Sequence, residues 1–286
     1  MSKRTRKIRP AYDLAGITVE GISSGGIETC IHLPQLKVAF DVGRCPEEVV
    51  PREIILFTHA HMDHMGGVAY HCATRELRQL SPPTYVVPKV DVEAFEELFA
   101  VWRRLDRSDL KHTTIGLEPG EEFQLPRGLV ARAFASPHRA PCQGYALVST
   151  KQKLLPALRG VPGRELEQRR KSGETITEEV ETVEVAFTGD SKVEVIEREE
   201  LVQRARLLIC ECTFLDERVS REQARESGHI HLDELIERAD LLQNEAILLT
   251  HFSSRYRHQE ILQILDERLP AELRARVTPF LNTRPS

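Results

Sequence analysis

Apolar runs of three to five residues that close on a polar side chain recur along this chain. Each predicts a strand that carries chemistry at its tip. Residues 29–33 and 37–40 read as paired strands around a tight loop, with Asp41 at the end of the second and Gly43 just beyond. Residues 54–57, Ile-Ile-Leu-Phe, read as a buried strand that runs into His59, His61, Asp63 and His64, then Gly66 and Gly67. A helix is expected from about Val68, and a strand over 85–88 after the Pro82-Pro83 break. Over 91–105, Phe95, Leu98, Phe99, Trp102 and Leu105 recur at helical spacing, which places Trp102 in the core, and Asp91 can cap the first turn. Strands around Phe123 and over 129–134 lead into Ser136-Pro137-His138, and another covers 146–148.

The later part of the chain repeats the theme. Residues 185–188 run into Gly189-Asp190-Ser191, residues 207–209 into Cys210-Glu211-Cys212-Thr213, and residues 246–250 into His251. Ser220 and Gln223 have capping-box spacing for a short helix that Gly228 can terminate, leaving His229 at its exit. Leu232, Leu235, Ile236, Ala239 and Leu242 mark an amphipathic helix. A helix over 260–269 and a short strand near Val277 follow, and no linker splits the chain. One α/β domain over 1–286 is expected.

Composition narrows the class. At 286 residues, 41% hydrophobic and 29% charged, the chain has the make-up of a globular protein with ample length for a core. No apolar run approaches membrane-spanning length, and the basic residues 1–10 lack an apolar segment behind them, so they read as a solvated tail and not a secretory signal. Six cysteines without a C-x-x-C pair argue against a zinc ribbon or a disulfide framework and suit a reducing, cytoplasmic setting. A net charge of −5 means that any nucleic-acid contact needs a local basic patch. One segment supplies it: residues 151–173 carry Lys151, Lys153, Arg159, Arg164, Arg169, Arg170 and Lys171 against two acidic residues, and an acidic stretch follows over 174–184. This reads as an inserted protrusion, and on composition alone a merely solvated hairpin reads as well.

His59 and His61 stand two apart, so extended backbone projects both imidazoles to one side. Three imidazoles and a carboxylate within six positions are costly to bury unpaired, and a transition metal removes that cost. Strand ends also deliver His138, Asp190 and His251, and residues at one end of several strands of an α/β sheet converge on one crevice. Seven such ligands exceed one tetrahedral zinc and suit two that share a carboxylate. Read from the residues alone, Glu211 is as well explained by a structural salt bridge and His229 by a capping contact.

The pattern His59-x-His61-x-Asp63-His64, with His138, Gly189-Asp190 and strand-end His251, resembles the five motifs of the metallo-β-lactamase fold. Within that superfamily the chain is similar to the tRNase Z family, which trims tRNA 3′ ends, above all in its short plant-type form. The likeness runs from about Glu20 to Phe280 and includes stretches away from the ligands. These are 26–30, 40–46, Glu211-Cys212-Thr213-Phe214-Leu215-Asp216, Gly228-His229-Ile230-His231 and His251-Phe252-Ser253-Ser254-Arg255-Tyr256. The departures are Ser23-Ser24-Gly25-Gly26 in place of a glycine- and proline-containing loop, Ser191 in place of Thr, and Cys210 and Cys212 flanking Glu211 in place of His and Ala. None touches the metal set.

The resemblance implies an αββα sandwich of two mixed sheets flanked by helices, a homodimer, and two Zn2+ per subunit, with Mn2+ able to stand in. It implies His59, His61 and His138 on one metal, Asp63, His64 and His251 on the other, and Asp190 bridging. Asp63 would orient or deprotonate the attacking water, and Glu211 with His229 would protonate the leaving 3′ oxygen. Arg255 and Tyr256 would hold the nucleotide. Residues 152–183 lie where the family carries its tRNA-binding arm, so Lys151, Lys153, Arg164, Arg169, Arg170 and Lys171 would meet the backbone of precursor tRNA. Two other readings compete. A hydrolase of this fold acting on a small phosphodiester or thioester needs neither the basic arm nor Arg255-Tyr256. A catalytically dead RNA-binding protein would have lost ligands, and none is missing.

Overall fold

The computed structural model describes residues 11–282, so the basic tail over 1–10 lies outside the described residues. Two seven-stranded sheets carry the chain. The first holds, in spatial and sequence order, β1 (Tyr12–Leu14), β2 (Ile17–Ser24), β3 (Glu28–Leu33), β4 (Val38–Phe40), β5 (Ile54–Leu56), β6 (Thr84–Pro88) and β7 (Thr113–Leu117). The second holds β8 (Glu122–Gln124), β9 (Leu129–Ala135), β10 (Gln143–Leu154), β11 (Thr177–Phe187), β12 (Leu207–Glu211), β13 (Ala246–Thr250) and β14 (Val277–Pro279). In each sheet the early strands pair antiparallel and the late ones, β4 to β7 and β11 to β14, pair parallel. Parallel strands need covered faces and crossover connections, and helices supply both.

Alternation along the strands sorts side chains into three layers. Between the sheets, Ile31, Phe40, Leu56 and Val86 meet Tyr145, Leu147, Phe187 and Ile209. On the outer face of the first sheet, Ile55, Phe57 and Tyr85 pack against Val68, Cys72, Phe95 and Phe99 of helices Val68–Leu77 and Val92–Asp106. On the outer face of the second, Ala186, Leu208 and Leu249 pack against Ile196, Val202, Leu235 and Leu265. The result is the αββα sandwich that the motifs imply.

Several local expectations need correction. Trp102 is 42% exposed, and Leu98 and Leu105 are exposed with it. Of that stripe only Phe95 and Phe99, one turn apart, are buried, so the buried face of that helix is narrower than its apolar stripe. Asp91 makes no capping hydrogen bond, because Lys89–Asp91 already form a 3-10 turn that carries helical backbone into the helix. The amphipathic run from Leu232 breaks into a helix of six residues, Leu232–Glu237, and a 3-10 turn, Ala239–Leu241. Strand β10 extends six residues past Val148 and stays paired with β11 out to Leu154 opposite Thr177, with helix Gly163–Lys171 at the tip. The basic segment thus runs beside an acidic strand, where Lys153 faces Glu178, and its tip helix carries its own ion pairs: Arg169 with Glu165 and Glu174, and Lys171 with Glu167.

Candidate metal centre

The C-terminal ends of β4, β5, β9, β11, β12 and β13 open on one crevice, and every ligand expected from the sequence lies there. His59 follows β5, and His61 is the N-cap of the short helix Met62–Met65, which turns Asp63 and His64 inward. Asp190 follows β11 after Gly189, and His251 follows β13 with a left-handed φ of 60°. A non-glycine residue held there is strained, as is common at functional sites.

Two clusters form. His59, His61, His138 and Asp190 bring one ligand atom each within 4.8 Å of one another, as do Asp63, His64 and His251. Asp190 faces both: its Oδ2 is 3.7 Å from His59 Nε2, and its Oδ1 is 3.2 Å from His64 Nε2 and 3.3 Å from His251 Nε2. Asp63 Oδ2 closes the second cluster at 3.6 Å from His64 Nε2 and 3.5 Å from His251 Nε2.

The outward ring nitrogens settle which atoms face inward. His64 Nδ1 is 2.8 Å from Asp41 Oδ2, and His138 Nδ1 donates to the Gly228 carbonyl at 2.8 Å. Thr58 Oγ1 donates to Asp41 and so accepts from His59 Nδ1; Thr213 Oγ1 donates to Glu211 and so accepts from His251 Nδ1. With each Nδ1 committed as a donor, the four rings aim Nε2 at one another and at two carboxylates, and when neutral each presents a lone pair there. His64 Nε2 and His251 Nε2 lie 3.5 Å apart on those terms. Lone pairs at that separation fit a cation between them, and the donor set, imidazole nitrogen with carboxylate oxygen, fits zinc. The chain therefore has residues positioned to hold metal.

Where a cation does not answer the carboxylates, a proton on His64 does. Burial opposes charge on His64, but the Asp190 and Asp41 carboxylates outweigh it and push its pKa well above the usual value. Burial drives His59 well below, with His64 adding to the effect. Burial works to raise Asp63, yet its hydrogen bond with His251 and the nearby His64 hold it down at about 2.

Beside the clusters, Glu211 Oε1 lies 2.8 Å from His229 Nδ1. The Glu211 carboxylate is buried and also accepts from the backbone N–H groups of Ser191, Thr213 and Ile230. It is therefore fixed before any substrate arrives. Burial disfavours a charged His229, but Glu211 reverses this and raises its pKa to about 9. The expected short helix, Arg221–Ser227, carries its Ser220–Gln223 capping box and ends at Gly228 with φ of 86°, which aims His229 back at the crevice. A Cβ on Gly228 would sit 2.7 Å from His138 Nδ1, so glycine is required there twice over.

The other expected contacts are placed differently. Arg255 is exposed, with its guanidinium 6.0 Å from the Phe214 ring, and Phe214 packs on His229. Tyr256 is 5% exposed; its hydroxyl donates to Asp216 and accepts from the Leu215 N–H, so it shapes the wall behind Arg255. The arm residues lie on the ribbon and its tip helix, apart from the crevice. Sequence reasoning missed Asp41, Thr58 and Thr213 as supports of the ligands. The one signal in the chain is that Asp41 ends a strand and Thr58 directly precedes His59.

A family model described as a beta-lactamase superfamily domain matches residues 32–252. The chain belongs to that superfamily, and the two sheets and their helices match its solved structures in fold. YhfI from Bacillus subtilis aligns with a TM-score of 0.61 at 14% identity, over 91% of this chain and 95% of that one. Human tRNase Z, short form, aligns with a TM-score of 0.59 at 20% identity, over 91% and 94%. Sequence relatives are more specific. The chain is 43% identical over 271 residues to tRNase Z TRZ1 of Arabidopsis thaliana, covering 94% of this chain and 96% of the relative. It is 39% identical to the chloroplastic tRNase Z TRZ2 of the same plant, over 96% and 79%. Within the superfamily, this chain is a member of the tRNase Z family. Its relatives include chloroplastic and nuclear proteins, so membership sets no compartment. Among the described residues no helix is long and apolar enough to cross a membrane.

Proposed function

We propose that this chain is a zinc-dependent endoribonuclease that removes the 3′ trailer from precursor tRNA. The carrying observation is that two ligand clusters share the Asp190 carboxylate while a pre-fixed Glu211–His229 pair stands at their edge. His59, His61 and His138 would hold one metal, Asp63, His64 and His251 the other, and Asp190 both. Zinc held by these residues would supply Lewis acidity and lower the pKa of a bound water. Asp63, ionised at any pH above about 2, orients that water and accepts its proton. His229, kept protonated by Glu211, donates at the leaving 3′ oxygen.

Arg255 lies next to Phe214 on the His229 side and would hold the nucleotide whose oxygen leaves. We read the chain as one domain over 1–286 with an arm over 152–183. In that arm Lys151, Lys153, Arg164 and Arg170 form no salt bridge among the described residues and remain open to phosphate. A homodimer fits an arm that reaches away from its own crevice, and six free cysteines fit the cytoplasm.

The test is to incubate the purified protein with precursor tRNA and zinc and to map the 3′ ends. A discrete cut at the tRNA–trailer junction supports the reading. His64→Ala should abolish the cut while sparing tRNA binding, and retained cleavage would sink the two-metal assignment.

A further inference from the structure

A second cleft opens from Asp63 on the side of the first sheet's loops. It measures about 470 Å³ and is lined by Ile27, Gly43, Arg44, Met62, Gly66 and Tyr70 as well as Asp63. Three large apolar side chains border it in contact with solvent: Met62 is 78% exposed, Tyr70 65% and Ile27 36%. Such a cluster around one cleft is unusual on a surface with nothing to bind. Met62 is on the first short helix, Tyr70 on the next and Gly66 in the turn between them, and all three line the cleft. No side chain fits at position 66 without a backbone shift, because a Cβ on Gly66 would lie 2.4 Å from the Met62 carbonyl oxygen and 3.1 Å from that of Gly43. Arg44 stands exposed at the lip and forms no salt bridge among the described residues, in a chain of net charge −5.

An exposed aromatic ring and an exposed thioether lining one cleft, with an arginine that forms no salt bridge among the described residues, match a nucleobase and a phosphate. One end of the cleft is Asp63, at the reacting centre, and the other is open to solvent, so a single strand can pass through. The two nucleotides that flank the scissile phosphate leave it in different directions. On the function proposed above, the one whose 3′ oxygen departs would lie beside His229, which stands against His138 and His251. We propose that the cleft takes the other, the first nucleotide of the trailer, with its base between Tyr70 and Met62 and the phosphate that follows it on Arg44. This assignment rests on the trailer-cleaving function proposed above.

The test compares kcat/KM on precursor tRNA with that on bis(4-nitrophenyl) phosphate, for wild type, Tyr70→Ala, Tyr70→Phe and Arg44→Gln. A precursor with an abasic first trailer nucleotide is the second substrate. Tyr70→Ala should lower the ratio by about tenfold, within the range for loss of one stacked base, and Tyr70→Phe should restore it. Arg44→Gln should lower it by a smaller factor that shrinks as salt rises. The abasic precursor should cost the wild type the same factor and cost Tyr70→Ala nothing further. A Tyr70→Ala loss that persists in full on the abasic precursor, or no loss on either, overturns the assignment alone. A wild type that hydrolyses the small diester and leaves precursor tRNA uncut overturns the trailer-cleaving function, and this assignment with it.

Discussion

Asp41 and Glu211 do the same work on opposite sides of the crevice. Each is a buried carboxylate at the end of a parallel strand, and each reaches a ligand histidine through a threonine hydroxyl: Asp41 through Thr58 to His59, Glu211 through Thr213 to His251. Each also bonds one histidine directly, His64 for Asp41 and His229 for Glu211. The difference is in what the directly bonded ring faces. His64 faces Asp190 and the second cluster, so on the proposed function Asp41 would orient a ligand; His229 stands beside them, so Glu211 would hold a proton donor. Asp41→Asn should therefore weaken metal binding by about 10- to 100-fold, the usual cost of losing an outer partner, as measured by titrating zinc into the metal-free protein. His229→Ala should leave metal content unchanged and lower cleavage of precursor tRNA by about 100-fold or more, the usual range for a lost general acid. Metal lost together with cleavage would assign His229 to the metal instead.

Among the elements, the short helix Arg221–Ser227 was fully legible, because its stop and start signals are local. Ser220 accepts from the Gln223 N–H and Gly228 takes a left-handed φ, as their spacing predicts. Ser220→Ala should cost about 1 kcal/mol of stability by denaturant titration. Helix Val92–Asp106 was legible only in its existence. Its apolar stripe says that Phe95, Leu98, Phe99, Trp102 and Leu105 share a broad face, but not how much of that face meets the sheet. Phe99 stacks on His112 at 3.8 Å and Phe95 meets Phe57, while Trp102 stays outside because nothing above Phe99 covers it.

The arm shows the reverse. Composition marked it as a protrusion, but strand pairing decides its charge: seven basic residues over 151–173 are matched by seven glutamates over 151–184. Any grip on RNA then depends on the few cations left unpaired. Deleting residues 161–171, which removes Arg164 and Arg170, should weaken precursor binding in a gel-shift titration while hydrolysis of a small phosphodiester continues. Equal loss of both would refute the arm's role.

For the whole molecule, stability should fall with acid in a way traceable to one buried ring. His71 lies between the first sheet and its helices, with Nδ1 2.9 Å from the Tyr85 hydroxyl, and burial lowers its pKa to about 4 from an ordinary value near 6.5. Between those values the unfolded chain binds the proton and the folded one does not. The contribution is therefore complete above pH 6.5 and is lost as pH falls towards 4, by up to about 3 kcal/mol. His71→Gln should flatten that part of the stability profile in urea titrations at stepped pH. An unchanged slope would place the acid sensitivity in other groups.

The sequence by itself determined the strand-end cluster of histidines and aspartates and the His229 helix, and its resemblance to a known family gave the αββα class. The first two are written in local spacing: apolar runs of strand length, histidines two apart, a cap and a glycine around one short helix. Tertiary structure alone decided which side chains stand behind the ligands, how Tyr256 is used and how much of Trp102 is covered. It also decided that Met62, Gly66, Tyr70 and Arg44 border one cleft with Asp63. The physical reason is common to all of these. They depend on which strand ends and loops lie side by side, and that follows from sheet order and packing between residues far apart in the chain, on which periodicity is silent.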